Sequence, residues 1–162
     1  MNNVLIAHDL RSCYNVGSLL RTCDGLGVDM IMTGTTPYPI IDDDPRLPHV
    51  AERAHKQIAK TALGAEQSVT WRRSESLTTT VTQLKDDGYT IGALEQTTTA
   101  SDIASLKPPT TWALIVGHEV NGIDSKTLEI TDNHWQIPMH GQKQSLNVTI
   151  AAAIAIWQLQ QK

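Results

Sequence analysis

Short apolar runs alternate with longer stretches of helical periodicity along this sequence, and this alternation determines its fold class. We predict strands at Val4–Ala7, Val28–Met32, Val69–Trp71, Thr90–Leu94, Trp112–Val116 and Trp135–Pro138. Apolar residues at helical spacing predict helices at Asn15–Gly25 and at about 49–63, 75–87, 124–130 and 145–160. Strands that alternate with helices predict an α/β domain with a mostly parallel sheet flanked by helices.

Two further features of the pattern bear on the fold. The stretches Gly34–Pro48 and Thr97–Thr111 lack periodicity and are predicted to be loops, which at this length are often functional. The last helix is apolar on most of its faces, which predicts that it is buried.

Length and composition exclude several classes of protein. The chain has 162 residues, which suits a single domain, and its formal net charge of −4 excludes a basic nucleic-acid-binding module as a description of the whole chain. The longest apolar run, Ile150–Trp157, has eight residues, whereas a membrane span needs about 18. Because no basic signal region precedes the first strand, we expect a cytoplasmic protein. Cys13 and Cys23 form no CxxC pair, which excludes a disulfide framework and argues against structural zinc.

Several common catalytic signatures are missing. The sequence contains no P-loop, no GxGxxG dinucleotide fingerprint and no GxSxG nucleophile motif. The six histidines include no HExxH motif and no pair spaced i, i+4, so we expect no metal site.

Positive charge is concentrated in one part of the chain. Six of the 13 Lys and Arg residues lie between residues 46 and 73. Among them Arg53, Lys56 and Lys60 are spaced i, i+3 and i+7, which places them on one face of a helix. The plainer interpretation is a solvated helix face, and the functional one is a surface that contacts nucleic-acid phosphates.

Three polar segments follow predicted strands, at the strand ends where open α/β sheets place their ligands. The first covers residues 8–21. Asn15 is a suitable N-cap for the helix that follows, which is its structural interpretation. That role does not explain Arg21, six residues further on, which on its own is a surface arginine.

The second and third segments follow later strands. In 113–123 an apolar strand leads into Gly-x-Glu-x-x-Gly, where glycine permits close backbone approach to a ligand and Glu119 is a candidate for binding a cation or hydroxyl. In 137–150 we predict Ser145 as the N-cap of the last helix and Asn147 in its first turn, beside free backbone N–H groups. The structural alternatives are a plain turn and a hydrogen-bonded core amide.

Together the three segments resemble the SpoU/TrmH-like RNA ribose 2′-O-methyltransferases of the SPOUT superfamily, over nearly the whole chain. The resemblance is carried by Asn15-Val16-Gly17 with Arg21, by Ile115-Val116-Gly117-His118-Glu119-Val120-Asn121-Gly122, and by Ile137-Pro138-Met139 with Ser145-Leu146-Asn147-Val148. It implies an enzyme that uses S-adenosylmethionine to methylate a ribose 2′-hydroxyl of tRNA or rRNA. It also implies a C-terminal deep trefoil knot and a homodimer in which both subunits build each active site.

The resemblance also implies roles for individual residues. Those expected to bind the cofactor are Leu94, Glu95, Val116, Gly117, Ile137, Met139 and Leu146. Those expected to form the catalytic and substrate site are Arg21, Asn15, Glu119, Ser145 and Asn147. The face of Arg53, Lys56 and Lys60 is then expected to bind RNA, and 1–162 is expected to be a single catalytic domain without an RNA-binding extension.

The implied chemistry suits these residue types. The cofactor's sulfonium already makes its methyl group transferable, so no metal is required. A guanidinium does not lose its proton in proteins, so we expect Arg21 to orient the hydroxyl or stabilise the developing alkoxide. We expect Glu119 to hold Arg21 in a bidentate ion pair, and Asn15 and Ser145 to fix the ribose or a phosphate.

Departures from the family pattern leave the subfamily open. His118 occupies a place often held by Asn, and Cys13-Tyr14 and Thr149 also differ from several relatives. Three alternatives remain: a non-catalytic module that binds RNA or cofactor, a SPOUT enzyme that methylates a base, and a generic nucleotide-binding domain. The pair of Asn15 and Arg21 favours ribose, and the missing glycine fingerprints count against the generic domain.

Overall fold

A seven-stranded parallel sheet forms the centre of the computed structural model, which describes residues 2–161. Its strands are β1 (Val4–His8), β2 (Asp29–Thr33), β3 (Trp71–Ser74), β4 (Thr90–Leu94), β5 (Ser101–Asp102), β6 (Trp112–Val116) and β7 (Asn133–Gln136). They lie in the order β3-β2-β1-β6-β4-β7-β5, with parallel pairing between neighbours. The predicted α/β class with a mostly parallel sheet is confirmed.

Helices cover both faces of this sheet. They are α1 (Cys13–Leu26), α2 (Pro48–Ala62), α3 (Ala65–Ser68), α4 (Leu77–Asp86), α5 (Ser125–Glu129) and α6 (Val148–Leu159), with a short 3-10 helix at Ile103–Ser105. Successive side chains of a strand point to opposite faces. In β1, Leu5 and Ala7 therefore join the core under α1, α2 and α6, while Val4 and Ile6 join the core under α4. In the described part of the chain, no helix is long and apolar enough to cross a membrane.

The central strands match their predicted positions, and the outer strands do not. β4 and β6 have the predicted bounds. The start predicted for β3 is wrong by two residues, because Val69 is the C-cap of α3 and pairing with β2 begins at Trp71. β7 begins at Asn133, because this residue pairs with Gly92 of β4.

Smaller elements also depart from the prediction. The stretch Thr97–Thr111 is not all loop, because it contains β5 and the 3-10 helix. Two ladder positions between β5 and β7 are too few to leave a periodic pattern in the sequence. The single turn of α3 was missed for the same reason.

The prediction that the last helix is buried is wrong for one of its faces. The side of α6 that packs on the sheet and on α1 is buried through Ala152, Ala155, Ile156 and Leu159. On the other side Ile150, Ile154 and Trp157 are 53%, 42% and 60% exposed. Within one chain, nothing in the described residues covers this apolar stripe.

Helices α1 and α2 pack so closely that a side chain at Gly17 has no room. A methyl group there would lie 2.2 Å from both the Ile58 carbonyl oxygen and the Thr61 hydroxyl oxygen. The Thr61 hydroxyl also donates a hydrogen bond to the Tyr14 carbonyl at 2.8 Å, which fixes it against α1. This contact sets the position of α1, whose first turn lies beside the candidate site described below.

We predict that Gly17→Ala lowers the free energy of unfolding by about 1–3 kcal/mol, because overpacking forces the two helices apart. Gly25→Ala is the matched control in the same helix, since a methyl group there meets no atom within 4 Å. The control is expected to be neutral or stabilising by about 0.5–1 kcal/mol, because alanine favours a helix interior over glycine. Urea unfolding of both variants measures the difference, and equal stability would contradict the close contact.

Candidate active site

A cavity of about 300 Å³ opens at the carboxyl ends of the central strands. Its lining residues come from four segments: 94–96 after β4, 116–122 after β6, 136–139 after β7, and 145–151 at the start of α6. Parallel strands bring their carboxyl ends to the same edge of a sheet, which is why segments distant in sequence meet there.

Most of the residues predicted for the site line this cavity. They include all seven that were expected to bind the cofactor: Leu94, Glu95, Val116, Gly117, Ile137, Met139 and Leu146. Three of the five expected in the catalytic and substrate site also line it, namely Glu119, Ser145 and Asn147. Asn15 and Arg21 do not line the cavity of their own chain.

The loop after β6 is closed on itself. His118 and Gly122 form an antiparallel bridge, with backbone N···O distances of 3.2 and 2.9 Å. A methyl group at Gly117 would lie 2.6 Å from the Ile123 side chain, so glycine is required where the loop leaves the strand. Gly122 has a φ of +67°, and a methyl group there would lie 2.2 Å from a Glu95 carboxylate oxygen. The two glycines of the Gly-x-Glu-x-x-Gly motif therefore have structural roles.

Glu119 connects this loop to the start of α1. One of its carboxylate oxygens accepts hydrogen bonds from the Ser12 backbone N–H and the Asn15 side-chain amide, each at 3.0 Å. The other accepts the Arg11 backbone N–H at 3.0 Å. Burial raises the pKa of Glu119, but these hydrogen bonds and one from its own backbone outweigh burial and leave the pKa below its usual value. Glu119 is therefore an ionised acceptor at neutral pH.

The predicted cap of α1 is wrong. Ser12 is the N-cap, and its hydroxyl accepts the Asn15 backbone N–H at 3.2 Å. Asn15 lies in the first turn instead, where its side-chain amide is used by Glu119. Serine and asparagine cap helices about equally well, so residue type alone could not choose between positions 12 and 15.

The predicted cap of α6 is wrong in the same way. Asn147, not Ser145, is the N-cap, and its side-chain oxygen accepts the Thr149 backbone N–H at 2.9 Å. Asn147 is exposed, which excludes the interpretation as a core amide, and so is the whole of 141–147. Ser145 and Asn147 form an exposed rim of the cavity.

Arg21 is exposed on α1, six residues beyond Asn15 and hence about 9 Å further along the helix axis. Within residues 2–161 its side chain forms no hydrogen bond or ion pair. The expected ion pair between Glu119 and Arg21 is wrong within one chain, because backbone N–H groups and Asn15 occupy the carboxylate.

The basic stretch 46–73 divides into internal and exposed charges. Arg46 forms an ion pair with Asp44, and its guanidinium stacks on the Tyr38 ring. The guanidinium carbon of Arg73 lies 4.9 Å from the centroid of the same ring. Both arginines are therefore engaged within the fold. The residues that remain exposed are Arg53, Lys56, Lys60 and Arg72.

Gln96 and His118 are among the cavity residues that were not predicted for the site. Gln96 follows Glu95 and donates a hydrogen bond to the Ile137 carbonyl at 3.4 Å. His118, which belongs to the second motif but was given no role there, accepts hydrogen bonds within the loop. Both residues follow the end of a strand, and this position was the signal in the sequence that could have indicated them as site residues. Among the described residues, no group of three or more His, Cys, Asp or Glu side chains is arranged to bind a metal ion.

Comparisons with known proteins place this architecture in a family. The family model described as "SpoU rRNA Methylase family" matches residues 2–157. A protein of Staphylococcus epidermidis named as a TrmH family tRNA/rRNA methyltransferase is 30% identical over 161 residues, which are 99% of this chain and 59% of that protein. The chain thus spans about three fifths of the length of this curated relative.

Solved structures show the same fold at low sequence identity. The AdoMet-bound rRNA methyltransferase of Sinorhizobium meliloti superposes with a TM-score of 0.82 at 19% identity, covering 98% of this chain and 55% of that one. An RNA 2′-O ribose methyltransferase superposes with a TM-score of 0.79 at 21% identity, covering 98% of this chain and 55% of that one. With the family match spanning almost every residue, the chain belongs to the SpoU rRNA methylase family.

Proposed function

We propose that this protein transfers a methyl group from S-adenosylmethionine to a ribose 2′-hydroxyl of tRNA or rRNA. One observation carries the proposal: all three sequence motifs meet at the same cavity. Residues of the second and third motifs line it, and Asn15 of the first motif is connected to it through Glu119. Family membership supports the reaction class, and the names of the similar proteins support the cofactor, the ribose and the two RNA classes.

The cavity suits S-adenosylmethionine in size and lining. Its volume of about 300 Å³ lies at the lower end of the range for small-molecule sites. Leu94, Ile137 and Leu146 offer apolar contact, and the polar groups of Glu95 and Gln96 stand at one side. When bound, S-adenosylmethionine supplies an electrophilic methyl group on a positively charged sulfur.

The residues of this chain have positioning and electrostatic roles in the proposed reaction. Ser145 and Asn147, on the exposed rim, fix the ribose or an adjacent phosphate. Arg21 orients the 2′-hydroxyl or stabilises the alkoxide as charge develops on it. Correct alignment of the reacting groups contributes about 7–11 kcal/mol to lowering such a barrier. Glu119 acts through Asn15 and the start of α1, because its oxygens are already hydrogen-bonded.

A deep trefoil knot in the C-terminal part is included in the proposal. β7 lies between β4 and β5, which follow each other in the chain. The connection from β4 to β5 therefore has to pass β7, close to where Gln96 contacts Ile137. Passage of the segment after β7 through this connection would produce the knot implied by the resemblance.

A homodimer accounts for the exposed stripe on α6. Ile150, Ile154 and Trp157 recur at i, i+4 and i+7, so they form one apolar face. Exposed apolar faces of this kind mark protein–protein contacts. The stripe begins beside the cavity, since Val148 and Ala151 of the same helix line it. A second copy seated here would bring its own residues to the cavity mouth, and we assign Arg21 to that contribution.

The face of Arg53, Lys56 and Lys60 on α2 supplies the proposed RNA contact. All three residues are exposed, and within 2–161 their one ion pair joins Lys56 to Glu52 over a long N···O distance of 3.9 Å. Exposed pairs of this kind contribute little, so the charges remain free to meet phosphates.

We predict that Arg21→Ala lowers kcat by about 100-fold or more, the loss expected when one donor to a developing oxyanion is removed. In the assay, dimeric protein is incubated with labelled S-adenosylmethionine and with total RNA from a host that lacks this protein. Mass spectrometry then maps the methylated nucleotide. Lys126→Ala, an exposed cation on α5, is the control and retains the wild-type rate. Unchanged transfer by Arg21→Ala would remove the catalytic assignment. Label in a base would replace the ribose proposal, and absence of label from the wild type would favour a binding module.

Charge reversal on α2 tests the RNA surface. The triple variant Arg53→Glu, Lys56→Glu, Lys60→Glu is expected to bind RNA at least about tenfold more weakly at physiological salt, with a shallower salt dependence, because fewer counterions are released. Its affinity for S-adenosylmethionine should be unchanged. Lys107→Glu with Lys126→Glu is the control, since both lysines are exposed elsewhere on the surface. Equal RNA affinity in the triple variant and the wild type would reject this surface.

The apolar stripe of α6 is tested by Ile154→Asp. A buried unpaired carboxylate at the interface is expected to raise the dimer dissociation constant at least about tenfold, measured by sedimentation equilibrium. Leu63→Asp introduces the same charge at a residue that is 66% exposed at the end of α2 and is expected to leave the dimer intact. A wild-type protein that sediments as a monomer at all concentrations would contradict the homodimer itself.

A further inference from the structure

His118 forms a local structure that the proposed reaction leaves unexplained. Its Nδ1 accepts hydrogen bonds from the backbone N–H groups of Val120 and Asn121, at 3.0 and 3.2 Å. A ring nitrogen that accepts two N–H donors carries no proton, so the ring is neutral with its proton on Nε2. The loop thus depends on one charge state and one tautomer of this side chain.

The same loop has its remaining amides engaged. The Gly122 N–H donates to the His118 carbonyl at 2.9 Å, and the Ile123 N–H donates to the Glu95 carboxylate at 2.7 Å. Of the four consecutive backbone donors at 120–123, the His118 imidazole therefore accepts two and the His118 carbonyl accepts a third. Val120 and Asn121 are exposed, so water is the alternative partner of their amides if the imidazole is lost.

The loop shape matters because residues of 116–122 form one wall of the cavity and include Glu119. The Glu119 carboxylate reaches the start of α1 through Ser12 and Asn15. A change in the path of 118–122 would therefore alter the cavity wall and withdraw the acceptor that these groups share.

We propose that His118 is a positioning residue whose neutral imidazole shapes the cavity wall, so that protonation of the ring weakens binding of S-adenosylmethionine. Protonation removes the acceptor at Nδ1 and places a positive charge against two N–H donors. Imidazole is the side-chain type whose ordinary charge change falls between about pH 5 and 8, so this is the range in which the proposal is tested. The proposal rests on the proposed function only in taking S-adenosylmethionine as the ligand.

Other titratable groups also lie at this edge of the sheet. They include Glu95 after β4, Glu119 in the same loop, Asp9 after β1, Asp124 at the start of α5, His8 at the end of β1, and His140 and Lys143 after β7. Of these two histidines, His8 contacts the Thr33 hydroxyl and the Asp9 carboxylate. It provides the matched control, because it is a histidine at the same edge of the sheet that does not contact the 118–122 amides.

The first experiment measures the dissociation constant of S-adenosylmethionine by calorimetry from pH 7 to 5.5. We expect at least a tenfold weakening in the wild type across this range. His118→Ala is expected to bind at least tenfold more weakly than the wild type at pH 7. His118→Asn, whose side-chain oxygen can accept the same N–H groups, is expected to rescue most of this loss and to flatten the pH dependence. His8→Asn is expected to keep the acid weakening.

The second experiment needs no cofactor. Nitrogen chemical shifts of the imidazole are expected to show an unprotonated Nδ1 at pH 7, and the amides of Val120 and Asn121 are expected to lose exchange protection at pH 5.5. The same amides should stay protected in His118→Asn. A protonated Nδ1 in the neutral ring, or an acid effect abolished by His8→Asn and kept by His118→Asn, would overturn the proposal. If the wild type binds no S-adenosylmethionine at any pH, the proposed function fails, and the spectra still decide the role of His118.

Discussion

The carboxylate of Glu119 is the contact on which the arrangement of the candidate site depends. It connects the loop after β6 to the loop after β1, about a hundred residues apart in the chain, because the two strands are neighbours in the sheet. The N–H groups of Arg11 and Ser12 precede α1 and point to where a negative charge is favoured by the helix dipole. Removing the carboxylate would leave these donors and the Asn15 amide without their shared acceptor.

Glu95 has a comparable role on the other side of the loop. Its two oxygens accept the N–H groups of Gln96 and Ile123, and Gly122 passes so close to them that any side chain would collide. Both carboxylates that line the cavity are therefore occupied by structural hydrogen bonds. Neither is available as a free general base in this state, which is why the proposed chemistry relies on alignment and on a cation.

The sequence predicts the centre of this fold better than its edges. β4 and β6 are short apolar runs in the middle of the sheet, so their bounds follow from hydrophobicity. The outer strands are more polar, because β3 contains Arg72 and Arg73 and β7 begins with Asn133 and His134. The limits of these strands are fixed by pairing with a neighbouring strand, which the hydrophobicity of the sequence does not encode.

The site shows the same division. Residues that line the cavity could be predicted because they belong to motifs of a known family. The partners of Glu119 could not, because two of them are backbone N–H groups, which almost any residue at positions 11 and 12 would supply. The predictions of the two helix caps were wrong for a related reason. Serine and asparagine are equivalent cap residues, so the sequence could not choose between Ser12 and Asn15, or between Ser145 and Asn147, until the start of the helix was known.

The proposed dimer would explain two observations that a single chain leaves unexplained. Apolar residues on α6 are exposed beside the cavity, and Arg21 is exposed on α1, the helix against which α6 packs. The Gln160 side chain donates a hydrogen bond to the Leu26 carbonyl, so the two helices end side by side. A second copy that covered the stripe would exclude water from it and would lie against α6, the neighbour of the helix that carries Arg21. The proposed dimer thus accounts for both the unburied apolar face and the arginine that lies outside its own cavity.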